Sequence, residues 1–389
     1  MLAASFFQCF SALLLVQIVQ AVISPKAFII SYFNEERDVW LGIPEFNLLE
    51  QNITLPGLSM EFPSVHCTGV GSVCLITVGE GEINAASSTL ALVLSSEFNL
   101  TQTYFLLAGV AGISPEVGTL ASVTFAQFAV QVGLQYEIDA REKPSNFSTG
   151  FVPQGTTSID SYPEFIYGTE VFQLNDALRQ RAIAFAKTAS LNDTQEAQDY
   201  RKLYTNASAQ AIPSIIGCDT ATSDNWWTGE LLGRAFESFT KLVTNGTATY
   251  CTTQQEDNAV LEALLRGNIA RRTDFSRIML MRTGSDFDRP PPGRSAADNL
   301  FNGYKGGDPA IANLHLAGVK VIEGILQEWN NTFSAGVSAQ NYIGDVLGSL
   351  GGAPSFGPGS IFDGKGAPAA PEVIVNTTAV TSSAARNTW

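Results

Sequence analysis

Carboxylates recur where the chain leaves its apolar runs. Phe33-Asn34-Glu35-Glu36-Arg37-Asp38 follows one such run, Gln255-Glu256-Asp257-Asn258 a second, and Arg282-Thr283-Gly284-Ser285-Asp286-Phe287-Asp288 a third. Each has an ordinary explanation: acids in a first helical turn complement the dipole, and a carboxylate at a strand–helix boundary caps the helix. Together they suggest a site with several carboxylates, the residue type that moves protons and faces developing positive charge. The run Thr77-Val78-Gly79-Glu80-Gly81-Glu82-Ile83-Asn84 places glycines where a backbone turns tightly or approaches a ligand. It is a poor dinucleotide fingerprint, because Asn84 replaces the third glycine and the flanking acids repel a pyrophosphate.

Other chemistries find little support. No Gly-x-Ser-x-Gly elbow and no phosphate-binding P-loop occur, and the only histidines, His66 and His315, read as structural. Trp226 and Trp227 are either core residues or a stacking wall for a flat ligand. Thirty-seven acidic against 22 basic residues, net −15, oppose binding to a nucleic-acid backbone.

The elements that must position these residues alternate. Strands are predicted at Lys26 to Tyr32, Thr103 to Ala108, Ile212 to Gly217, near Thr249 to Thr253, and at Ser276 to Thr283. Helices are predicted at Asn84 to Phe98, Leu174 to Thr188, Thr228 to Val243, Glu256 to Arg266 and Ile311 to Trp329. Gly109-Val110-Ala111-Gly112 is expected to close its strand as a turn. Alternation argues for an α/β fold with a mostly parallel, helix-covered sheet, whose ligand crevice lies outside the carboxyl ends of the strands.

Residues 1–21 carry an apolar stretch of leader length ending Val19-Gln20-Ala21, so a signal peptide is expected, with an uncleaved anchor as the alternative. Acceptor sequons begin at Asn52, Asn99, Asn146, Asn192, Asn206, Asn245, Asn330 and Asn376, which fits surface loops in an oxidising compartment. No later stretch is expected to span a membrane; the most apolar, Tyr104 to Ile113, reads as a buried strand. A lipid anchor is not expected either. A secreted or cell-surface chain follows, its domain at 25–332 and a loosely ordered Gly/Pro/Ser/Thr-rich tail at 333–389.

Beyond the leader stand Cys67, Cys74, Cys218 and Cys251. A bridge across the hairpin between Cys67 and Cys74 is the simplest pairing and leaves Cys218 with Cys251. Three connectivities exist, and a zinc site is the alternative.

From about Pro25 to Gly324 the chain resembles the purine nucleoside permease family of fungi and bacteria. The blocks that carry the likeness are Gly79 to Ala86, Ala108 to Ile113, Ala129 to Glu142, Gln255 to Ala259 and Arg282 to Asp288. More weakly, that family resembles the nucleoside phosphorylase and nucleosidase superfamily. The resemblance implies a three-layer α/β domain with a central mixed sheet flanked by helices. It implies that Glu36 orients the attacking water, Glu256 bonds the ribose hydroxyls and Asp286, after Ser285, protonates purine N7. Gly109, Asn258, Trp226, Trp227 and Phe287 become candidates for substrate contacts. Its partner would be a purine nucleoside, with phosphate as an optional co-substrate, no cofactor, and a homo-oligomer allowed. Glu35, Glu36, Glu80 and Glu82 favour water over phosphate, with Arg37 and Arg282 as the opposing evidence. The alternative is a transport component that binds nucleosides without cutting them.

Overall fold

The computed structural model describes residues 22–358; the leader and Asn376 lie outside them. The first half contains β1 (Ala27–Ser31), α1 (Asn34–Asp38), β2 (Gln51–Thr54), β3 (Ser64–Cys67), β4 (Val73–Thr77), α2 (Glu82–Leu94), β5 (Tyr104–Ile113), β6 (Val123–Ala126), β7 (Phe128–Gln131), β8 (Gln135–Glu137), β9 (Phe151–Pro153) and β10 (Val171–Gln173). The second contains α3 (Asp176–Ala186), α4 (Gln195–Arg201), α5 (Ala207–Gln210), β11 (Ile215–Gly217), β12 (Asp219–Thr222), α6 (Glu230–Val243), β13 (Tyr250–Gln254), α7 (Asp257–Ile269), β14 (Ile278–Phe287), α8 (Ala296–Asn302), α9 (Gly307–Gln327) and β15 (Gly344–Asp345).

β1, β4 and β14 are buried along their whole length, as runs without polar alternation require when helices cover both faces of a sheet. One face carries α2 and α7, whose Leu92, Val260, Leu261 and Leu264 pack on Phe28, Ile30 and Phe105. The opposite face carries α3 and α9, whose Leu178, Leu314 and Ile322 pack on Ile29, Leu75 and Leu106. The result is the expected three-layer α/β domain with a central mixed sheet.

The sheet is less parallel than alternation alone suggested. β4, β1, β5 and β14 run parallel in that order, and β13, β12 and β7 form a second parallel block. The blocks meet through a short antiparallel contact, Thr252 with Ile113 and Thr253 with Gly112. The carboxyl ends of both blocks therefore converge on one place, where a ligand crevice is expected.

Gly109 to Gly112 do not form a turn: β5 runs on through them to Ile113, paired with β14 on one side and β13 on the other. Nor is the chain loosely ordered from Phe333. Phe333, Val346 and Phe356 are buried, and β15 pairs with β10, so packing continues through the last described residues. Sparse periodicity hid this, because scattered single anchors hold the segment.

α9 is also longer than predicted, and by length and composition it is apolar enough to cross a membrane. Its Leu314, Ala317, Val321, Ile322 and Ile325 are instead buried against the sheet. Cys67 is bonded to Cys74 and Cys218 to Cys251. Among the described sequons, Asn52, Asn99, Asn146, Asn192, Asn245 and Asn330 are exposed and Asn206 is half-buried. Asn52 stands on strand β2 rather than a loop.

Candidate active site

Where the carboxyl ends converge, a cleft with about 500 Å³ of empty space opens to solvent. β1 and α1 supply Tyr32, Phe33 and Glu36; β5 supplies Val110, Ala111 and Gly112; the segment after β12 supplies Asn225, Trp226 and Trp227. Thr253 to Glu256 close one side, and β14 brings Arg282, Ser285 and Asp286.

A local irregularity exposes Ser285 and Asp286 together. Strand alternation would send neighbours to opposite faces, but β14 bulges between Gly284 and Asp286, and both line the cleft. The Ser285 hydroxyl lies 2.8 Å from Asp286 Oδ1 and 3.1 Å from the Ala111 carbonyl, either of which can accept its proton. Burial, against the Ser285 hydrogen bond and with help from Asp288, raises the Asp286 carboxyl to about 7. This carboxyl can therefore carry a proton near neutrality.

Glu36 lies on α1, but its side chain is bonded to the sheet. Its two oxygens accept from the backbone N–H of Tyr32 at 2.8 Å and of Val110 at 2.6 Å, so it ties β1 to β5. Burial raises it to about 8, against the attraction of Arg282 and with repulsion from Glu256. A dipole-complementing surface acid is thereby ruled out for this position.

Glu256 precedes α7, yet its side chain makes no cap hydrogen bond. Its carboxylate accepts instead from Arg282 Nη2 at 3.1 Å and from the backbone N–H of Gly81 at 3.3 Å. Burial shifts it upward, and Arg282 opposes that shift. Gln254 Oε1 takes the N–H groups of Glu256 and Asp257, both at 2.8 Å, which fixes the start of α7.

Arg282 is the only cation among the residues lining the cleft. It is committed to protein partners: Asp257 at 2.7 and 3.1 Å, Glu256, and the Val110 carbonyl at 2.9 Å. Its guanidinium stacks 4.2 Å over the Tyr32 ring, whose hydroxyl donates to Asp257 at 2.8 Å. Arg37 pairs with Asp38 and covers Phe62, outside the lining. Glu80 lines the cleft, and Glu82 beside it accepts from Gln131 while its own N–H donates to Asp224 at 2.7 Å.

The structure brings Glu36, Glu256, Ser285, Asp286, Trp226 and Trp227 to one cleft and corrects three other candidates. Gly109 lies behind the lining: a Cβ there would stand 2.6 Å from Arg282 Nη1 and 2.7 Å from the Tyr32 ring, so glycine makes room for that stack. Phe287 is fully buried on the far side, 4.2 Å between ring centroids from Tyr204, because Asp286 takes the cleft-facing position. Asn258 spends its amide within the fold, accepting from Thr222 at 2.7 Å and donating to the Thr169 carbonyl at 2.8 Å. Tyr32 and Gln254 were not singled out, and Asp257, expected only as part of an acidic run, holds Arg282 from behind the lining. The position of Tyr32 at a strand's carboxyl end was the one available signal.

Comparison with known proteins places these residues in context. The sequence profile of the family described as "Purine nucleoside permease (NUP)" matches residues 24–338. A purine nucleoside permease of Candida albicans is 48% identical over 344 residues, covering 87% of this chain and 84% of the relative. A probable purine nucleoside permease of Schizosaccharomyces pombe is 41% identical over 321 residues, covering 80% and 92%. Among solved structures, the 5′-methylthioadenosine/S-adenosylhomocysteine nucleosidases of Neisseria meningitidis and Helicobacter pylori match with TM-scores of 0.44 and 0.46. Each is 14% identical; they cover 78% and 79% of this chain and 99% of their own.

Proposed function

Because the chain belongs to the purine nucleoside permease family, we propose that it binds purine nucleosides in this cleft and cleaves their N-glycosidic bond with water, serving uptake and salvage from outside the membrane. The observation that carries the reading is the pairing, in one cleft, of Asp286 poised to hold a proton with Glu36 held by two backbone donors. Breaking C1′–N9 leaves positive charge on the sugar and an electron pair on the purine. Asp286 gives its proton to N7 as the base departs, and the water oxygen bonds C1′ while Glu36 takes the water's proton. Glu256, clamped by Arg282 and Gly81, accepts hydrogen bonds from the ribose hydroxyls and faces the developing positive charge. Trp226 and Trp227 supply the aromatic surface for the base.

Water is preferred to phosphate on charge. The lining carries four carboxyl groups, Glu36, Glu80, Glu256 and Asp286, and its one cation is already paired. The extracellular setting rests on the leader and on the exposed sequon asparagines.

The experiment is incubation of the purified protein with adenosine or inosine, with and without phosphate. Free base and ribose without phosphate are expected; ribose 1-phosphate that appears only with phosphate refutes hydrolysis. The relatives, named purine nucleoside permeases, favour a second reading, binding for transport without chemistry, and tight binding with no turnover in either buffer would establish it.

A further inference from the structure

The segment that lends Asn225, Trp226 and Trp227 to the cleft borders a second, half-open cavity of about 400 Å³, lined in part by the same three residues. Phe151, Leu232 and Phe236 form one wall, and Ala297 and Leu300 of α8 another. Glu137 is the one ionisable side chain in the lining. The cavity suits an uncharged apolar group and opposes an anionic one.

The two indoles are held differently. Trp227 donates from Nε1 to the Tyr250 hydroxyl at 3.1 Å, and Tyr250 donates to Asp288 Oδ2 at 2.9 Å. Arg289 grips Asp288 at 2.9 and 2.8 Å, and the N–H of Gly229 donates to the Asp288 carbonyl at 2.8 Å. Trp227 also packs edge-on against Phe236, 5.1 Å between centroids, so it is a fixed wall. Trp226 is 55% exposed and meets Tyr304 edge-on at 6.4 Å, which leaves it as an adjustable partition between the cavities.

We propose that the second cavity is a subsite for an apolar group carried on the 6-position of the purine base. This rests on reading the cleft as a nucleoside site. If Asp286 addresses N7, the neighbouring 6-position lies on the same edge of the base. The residue after Asp286 leads to α8: the Phe287 carbonyl accepts from Asn299 at 2.8 Å, and Asn299 also donates to Thr228 Oγ1 at 2.7 Å. The cavity that α8 lines shares Asn225, Trp226 and Trp227 with the cleft, so a group on the edge of the base beside N7 can reach it past the Trp226 partition.

The test is calorimetric binding of adenosine, N6-benzyladenosine and 5′-deoxy-5′-benzylthioadenosine to Glu36→Gln protein, which does not consume them, with and without Ala297→Trp. Ala297 is exposed on α8, so the added indole fills the cavity without entering the core. Glu36→Gln protein with Ala297 intact is expected to bind N6-benzyladenosine about tenfold tighter than adenosine, a gain of about 1.4 kcal/mol. Ala297→Trp should abolish that gain and leave adenosine unchanged. No gain on the 6-position, a gain on the 5′-position instead, or equal loss for adenosine in Ala297→Trp would overturn the subsite. Adenosine that binds without a 6-position gain refutes the subsite alone; adenosine that does not bind refutes the nucleoside reading and this inference with it.

Discussion

Replacing Asp286 with Asn tests the proton assignments, because the two carboxyls are tuned in an unusual order. The base, Glu36, is raised to about 8 and the acid, Asp286, to about 7. Catalysis needs Glu36 ionised and Asp286 protonated together. At pH 7.5 each is in its required form about a quarter of the time, so about 6% of molecules are productive. The wild-type rate should climb below pH 7, stay nearly flat to pH 8 and fall above, with about equal rates at pH 6 and pH 9. Asp286→Asn removes the falling limb. Its rate, lower by about 10²–10⁴-fold, should rise about 90-fold from pH 6 to pH 9 with a midpoint near 8, the signature of Glu36 alone. The assay is single-turnover release of adenine from adenosine, which carries no group titrating in that range. A falling limb that persists in Asp286→Asn would give the high-pH group another identity. A midpoint near the ordinary glutamate value of 4.5 would refute the upward shift assigned to Glu36.

Three further outcomes follow from the geometry. Glu36→Gln should lower kcat by about 10²–10⁴-fold while leaving the calorimetric Kd for adenosine unchanged, since the amide retains the shape but cannot take the water's proton. Arg282→Met strands Asp257 and Glu256 as buried carboxylates, and denaturant titration should show a loss of about 3–5 kcal/mol. Phe333→Ala removes a buried ring that packs 5.1 Å from Tyr104 at the start of the segment expected to be loose. A loss of about 3–5 kcal/mol is predicted, and a change near zero would show that the segment is not part of the folding unit.

Much of this was legible in local pattern. Predicted strands marked β1, β13 and β14, and acids at their carboxyl ends marked a site with several carboxylates, from which the family resemblance singled out Glu36, Glu256 and Asp286. What could not be read was nonlocal. Tyr32 and Asp257 are 225 residues apart in sequence, and no periodicity announces that they share a hydrogen bond beneath Arg282. The bulge at Ser285 is a register event between strands, so a reading based on β14 alone could not tell that Ser285 and Asp286 share a face. Phe287 was recoverable: once Asp286 faces the cleft, period-two alternation turns the next side chain away. Asn258 failed for a different reason, since an amide near an acidic cluster looks like a ligand group until its partners Thr222 and Thr169 are known.

The same distinction bears on how such a chain would serve uptake. α9 satisfies a membrane-span criterion by length and composition, yet its apolar face is already occupied. Leu314, Ile322 and Ile325 cover the sheet beneath Leu106 and Met281, and Gly318 lets Trp40 and Met281 approach so closely that a Cβ would stand 2.6 Å from the indole. Withdrawing α9 into a bilayer would expose that face of the sheet, which also supports β14 and hence Asp286. A transport role that keeps this cleft intact must therefore keep α9 on the sheet. The proposed binding and cleavage at the carboxyl-end cleft leave α9 where it is, packed on the sheet that carries Asp286.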